Sequence, residues 1–91
     1  MSVIAEIARE RERQMGGEGY TYGHDDRHST GDLARLAALY AMPDQGKVYE
    51  EASLAWGEVI DWINHKDRRR DLIRAGALIV AEIERLDRAA G

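Results

Sequence analysis

The sequence predicts an all-α domain, a small bundle of about four helices closed by a long C-terminal one. Three observations carry this. Apolar residues recur at three- and four-residue spacings in separate segments, glycine and proline fall between those segments, and no segment alternates apolar and polar residues as a half-buried strand would. Ninety-one residues make a single domain, 1–91, with one modest core.

Residues 2–15 form the first expected helix. Val3, Ile4, Ile7 and Ala8 supply a short apolar stripe, Glu10 to Arg13 a solvated mixed-charge face, and Gly16-Gly17 the stop. Ser29-Thr30-Gly31-Asp32 reads as a capping-box start, with a hydroxyl three residues ahead of an acid. Leu33, Leu36, Ala37, Leu39 and Tyr40 continue that helix to about Met42, where Pro43 closes it. Pro43 to Lys47 reads as a turn. Val48 to about Asn64 holds one or two short helices anchored by Trp56 and Trp62. The last helix, capped by Asp67, runs from Arg68 to about Arg88. In it Leu72, Gly76, Ile79, Ile83 and Leu86 alternate spacings of four and three, the seam pattern of a packed helix pair. Ile73, Ala77 and Val80 add a second strip, and Gly76 between Ala75 and Ala77 admits a close helical neighbour.

Composition narrows the function classes. A hydrophobic content of 44% and a charged content of 33% describe an ordinary globular domain. Phenylalanine is absent, so the core draws its volume from aliphatics, Met, Trp and Tyr. A core this small gains from association with a second copy, and a homo-oligomer is expected. The net charge of −4 argues against duplex nucleic acid as partner. The chain has no cysteine, which removes disulfides and cysteine zinc sites. No apolar run approaches the roughly 20 residues of a membrane span, and MSVIAEIARERER turns charged too early for a signal peptide. The expected location is the cytoplasm, that of a bacterial host cell if the chain is phage-encoded.

The segment Glu18 to His28, EGYTYGHDDRH, reads as an unusual helix-to-helix loop. Aromatic rings and mixed charges crowd into it where a plain connector carries turn residues. Tyr20 and Tyr22, between Gly19 and Gly23, offer faces for stacking a base. The structural alternative is that one ring plugs the core and the other covers its edge. His24-Asp25-Asp26-Arg27-His28 contains the His-Asp dipeptide of metal-dependent phosphohydrolases, but those enzymes need further ligands on a larger frame, and no metal is expected. Asp25 or Asp26 instead stabilises turns with Arg27 paired to an acid, or these side chains and the two histidines face a phosphate or ribose. Lys66-Asp67-Arg68-Arg69-Arg70 places cations at a helix start, where they are disfavoured unless an anion compensates. Either a phosphate or acids from helix one or a second subunit should lie beside them. Glu50, Glu51, Glu58 and Asp61 faintly resemble the acidic helices of all-α nucleotide pyrophosphohydrolases, and equally suit a solvated surface.

Taken together, RERERQMGGEGYTYG, HDD and LAALYAMPDQGKVYEEA resemble the RyR domain, the repeat of ryanodine receptors that also occurs in small bacterial and viral proteins. That family pairs an Arg-containing first helix with an E-G-W-x-Y-G turn and following acids, then a Leu/Pro/Tyr helix and an E-K-x-Y-D-R-like stretch. The resemblance covers Ile4 to Ala52. Tyr20 replaces the usual tryptophan, and Gly46 to Glu51 lacks the first acid and the final arginine. The last helix is instead similar to the C-terminal end of short phage and prophage proteins.

The resemblance implies a nucleotide-type ligand, with Tyr20, Tyr22, Asp26, Lys47 and Tyr49 as candidates and Tyr40 as the helix aromatic. The leading expectation is a non-enzymatic module, with no cofactor, that binds a nucleotide or cyclic nucleotide. In a phage it would sequester a host immune signalling nucleotide. Tyr20 or Tyr22 would stack the base. Arg27, Lys47 or the Arg68–Arg70 cluster, Arg69 included, would neutralise phosphate, and Asp25 or Asp26 would hold ribose, with His24 and His28 nearby. Two alternatives stand beside it. One is a magnesium-dependent nucleotide phosphohydrolase using Asp25, Asp26, Glu50, Glu51, Glu58 or Asp61. The other is a homodimeric helical interaction module built on the seam of the last helix.

Overall fold

The computed structural model describes residues 2–42, 47–55, 63 and 65–91. Among them are five helices and no strand, in the order α1 (Val3–Gly17), α2 (Tyr22–Arg27), α3 (Asp32–Ala41), α4 (Lys47–Ala55) and α5 (Arg68–Ala90). The expected all-α bundle with a long last helix is what the chain forms. The Pro43 turn and the expected anchors Trp56 and Trp62, with Glu58 and Asp61, lie outside the described residues.

Asp67 caps α5 as expected, its side chain accepting from the Arg70 N–H at 2.9 Å. At 23 residues α5 is about 34 Å long, far longer than α3 or α4. It is the spine against which α1, α2 and α3 pack. The core lies mainly between α3 and α5. Leu33, Leu36, Ala37, Leu39 and Tyr40 pack with Ala75, Leu78 and Ala81, and Tyr49 of α4 closes one end.

α1 ends at Gly17, the second glycine of the expected stop, with Glu18 as its C-cap and Gly19 following at φ 75. The Tyr20 N–H then returns to the Gln14 carbonyl at 2.9 Å. Two local expectations are corrected. The segment after α1 is not all loop. Tyr22–Arg27 forms a short helix because the Thr21 hydroxyl accepts from the His24 N–H. At the start of α3 no side chain caps; Gly31 holds a left-handed φ of 88 at the N-cap position, and the Thr30 hydroxyl reaches only the Asp32 carboxylate.

α1 departs in part from expectation, although Ile7 packs inward and Glu12 is exposed as expected. Val3 and Ile4 are exposed, whereas Glu10, Arg11 and Gln14 are buried against the rest of the chain. Ile7 packs on Gly76, where an added Cβ would come within 3.0 Å of Ile7 Cδ1. The close neighbour that Gly76 admits is therefore α1. Around α5, Ile73, Ala77, Leu78 and Ala81 face inward, whereas the expected seam residues Leu72, Ile79, Ile83 and Leu86 are 44–52% exposed.

Two substitutions test this packing by chemical denaturation. Leu39→Ala should cost about 2–5 kcal/mol, since Leu39 is fully buried. Gly76→Leu should cost about 1–3 kcal/mol by forcing Ile7 and α1 away. A neutral Gly76→Leu would mean that α1 does not sit on α5 here.

Candidate functional site

The residues of the aromatic segment converge on Arg11. This guanidinium, 5% exposed, donates from Nη2 to Asp25 Oδ2 at 2.8 Å, from Nη1 to the Tyr20 carbonyl at 3.0 Å and from Nε to Glu84 Oε1 at 3.0 Å. Asp25 has no exposed surface, and its second oxygen lies 3.1 Å from His24 Nδ1. The carboxylate proposed for ribose thus points inward, tying α2 to α1. Rings continue the arrangement. Tyr20 stacks on His24 at 4.8 Å, His24 meets His28 at 4.6 Å, and His28 Nδ1 contacts Asp32 Oδ2 at 3.0 Å. Tyr20 is therefore the ring that plugs the core edge. Burial first, then the negative charge of Glu18, pushes its hydroxyl up to about 12.

The outward side of the segment is different. Tyr22 is half exposed, with the Arg88 guanidinium 4.3 Å above its ring, and Arg88 also donates to Asp26 Oδ1 at 2.8 Å. Arg27 is exposed on α2. A cavity of about 260 Å³ opens beside Arg88, lined by Asp26, Ser29, Arg85 and Ala89. Arg88 and Arg85 carried no sequence signal linking them to this segment; they lie some 60 residues later on α5.

The cations at the start of α5 are met by acids of α1. Arg69 Nη1 donates to Glu6 Oε1 at 3.1 Å, Arg70 bonds Glu10, and Arg68 reaches the Met42 carbonyl at 2.7 Å. Glu10 is nearly fully buried. Burial alone would raise its carboxyl, but bonds from Arg13 and Gln14 and the charges of Arg13 and Arg70 reverse this and hold it below its ordinary value. Of the two expectations for this cluster, acids from helix one are what stands beside it.

The remaining candidates lie elsewhere. Lys47 opens α4, and its side chain is outside what the structure describes. Tyr49 belongs to a chain of three groups that the sequence did not announce. His65 Nδ1 lies 2.8 Å from Asp71 Oδ2, and its Nε2 lies 2.9 Å from the Tyr49 hydroxyl oxygen, so one imidazole bridges the two groups. The Lys66 N–H holds the other Asp71 oxygen at 2.8 Å. This chain fastens α4 and the start of α5 to each other. Glu50 and Glu51 are exposed on α4. Among the described residues no three His, Asp or Glu side chains converge on a metal position.

An apolar groove lies on the outer face of α1 and α5. Ile4, Ile7, Ala8 and Met15 of α1 and Gly76 and Val80 of α5 line a groove of about 430 Å³, rimmed by Glu12, Glu84, Arg11 and Tyr22. Beside it runs the exposed row Leu72, Ile79, Ile83 and Leu86.

Two outcomes follow from the inner network. Arg11→Ala or Asp25→Ala, each leaving a buried charge unmatched, should cost about 3–5 kcal/mol, and the double variant should cost much less than their sum. Additive losses in the denaturation cycle would mean the pair is not coupled. Tyr20 gives a pH signature. Its folded-state value lies above that of the unfolded chain, so its contribution is intact below pH 10 and is lost as pH rises from there through about 12. Alkaline denaturation of Tyr20→Phe should lack this component.

Comparison with family models, with curated proteins and with solved structures finds no match to this chain.

Proposed function

We propose that the chain is a non-catalytic interaction module that holds a partner helix on the outer row of α5. The observation that carries this is the row itself: Leu72, Ile79, Ile83 and Leu86, each about half exposed, at spacings of seven, four and three along one helix. Single exposed leucines are ordinary, but four large aliphatics aligned over four turns form a patch that water disfavours. A helix carrying its own row at the same spacing covers such a patch by seating side chains between those of α5. The adjoining groove, apolar with acidic Glu12 and Glu84 at its rim, favours an aliphatic occupant over a phosphate.

A nucleotide-type ligand is the second reading. It is supported by the half-exposed Tyr22 ring beside Arg88 and the small cavity bounded by Asp26, Ser29 and Arg85. It is also supported by the resemblance of EGYTYG to RyR-type repeats. There Tyr22 would stack a base and the arginines would meet phosphate.

A photoreactive residue placed at Ile83 tests the first reading in cells producing the chain. It should yield one protein adduct of defined mass, removed by Ile79→Asp and absent when the probe sits at exposed Ala34 on α3. No adduct at Ile83, or equal adducts at both positions, would contradict it. The second reading predicts a thermal shift with a mono-, di- or cyclic nucleotide that Tyr22→Ala and Arg88→Ala abolish. A ligand at 100 times its Kd adds about 2.7 kcal/mol, and no shift across the panel would remove this reading.

A further inference from the structure

We propose that the charged cavity between α1 and the start of α5 binds a small phosphate-type anion, with Arg9, Arg13 and Arg70 as its donors. This site is independent of the partner helix proposed above.

The cavity holds about 300 Å³, and its lining is charged throughout: Glu6, Arg9, Glu10, Arg13 and Arg70. Both carboxylates in it are already taken. Glu6 accepts from the two Nη groups of Arg69. Glu10 accepts from Nε and Nη2 of Arg13, from Nε2 of Gln14 and from Nη2 of Arg70. A carboxylate has about four such positions, so Glu10 is full. The donors are not exhausted in the same way. Arg9 is exposed and makes no hydrogen bond or ion pair among the described residues. Nε and Nη1 of Arg70 and Nη1 of Arg13 also have no acceptor among them. Three arginines thus share one cavity with N–H groups that no described protein oxygen meets.

The accessible charge has the matching sign. The side chains of Arg13 and Arg70 are each 38% exposed, against 29% for Glu6 and none for Glu10. With Arg9 exposed as well, the charge that an incoming ion meets is mainly positive.

The lining also selects the kind of anion. It holds no aromatic or large aliphatic residue, so nothing in it suits a base or an acyl chain. Guanidinium forks match the oxygens of a phosphate group. Such a group carries close to two negative charges near neutral pH, which suits three arginines better than one carboxylate does. About 27 Å of helix separates Arg70 from Arg88, so this site is distinct from the position at Tyr22.

NMR titration of the isotope-labelled full chain tests the site. Sodium phosphate and glycerol phosphate are the probes, and sodium chloride at matched ionic strength is the reference. The phosphates should give saturable shifts centred on Arg9, Arg13 and Arg70 that chloride does not give. Arg9→Gln should weaken binding about tenfold. It should leave helical circular dichroism and the melting temperature unchanged, because Arg9 is exposed and bonds no described residue. Arg35→Gln, which removes one charge on α3, should leave binding as it is. Tighter binding of the inorganic ion than of the ester, or the reverse, supports the site and names its source. Shifts equal to those of chloride, binding unaltered by Arg9→Gln, or shifts centred on Tyr22 and Arg88 overturn the proposal.

Discussion

Arg11 is the side chain on which the arrangement of α1 depends. One guanidinium reaches α5 through Glu84, the end of α1 through the Tyr20 carbonyl, and α2 through Asp25. With Glu10 bound by Arg70 and Arg13, and Gln14 reaching the Arg74 carbonyl, the inner face of α1 is docked chiefly by ions and hydrogen bonds. Such a contact is directional. It fixes which face of α1 turns inward, even where an apolar contact of equal size would be as stable. The consequence is outward: because charges hold the inside, the aliphatic residues Val3 and Ile4 and the groove beside Ile7 end up on the surface.

The same division of labour runs along α5. Its inner side joins the core with Ala75, Leu78 and Ala81 against Leu33, Leu36 and Leu39 of α3, and it buries Ile73 and Ala77 as well. Its outer side carries four further large aliphatics, Leu72, Ile79, Ile83 and Leu86, each about half exposed. A helix built this way has two apolar sides, and the described residues leave the outer one about half exposed. Glu6 and Glu10 of α1 are satisfied within the chain by arginines that include Arg69 and Arg70 at the start of α5. These pairs set the docking angle while leaving the row from Leu72 to Leu86 open.

Much of this was legible in the sequence, and the illegible part has identifiable causes. The core face of α3 and the Asp67 cap follow from local spacing alone, and both stand as expected. The 4-3 row of α5 was also visible, but spacing cannot tell whether a seam packs against the same chain or another. Glu10 and Arg11 read as part of a solvated face, because a buried charge is recognised only by its partner, and the Asp25 that meets Arg11 is 14 residues away. The available signal was the brevity of the apolar stripe, which leaves α1 too few aliphatics to dock by itself. The helix Tyr22–Arg27 was hidden by its length and by Gly23, since a six-residue helix persists through docking and a cap and not through propensity. His65 and Asp71 were overlooked because neither is unusual until Tyr49 is placed beside them.

Covalent footprinting of α5 in cells producing the chain, set against the dilute purified chain, would decide how the outer row is used. The account predicts that Leu72, Ile79, Ile83 and Leu86 are protected in cells and labelled in the dilute chain. Equal labelling in both would contradict it.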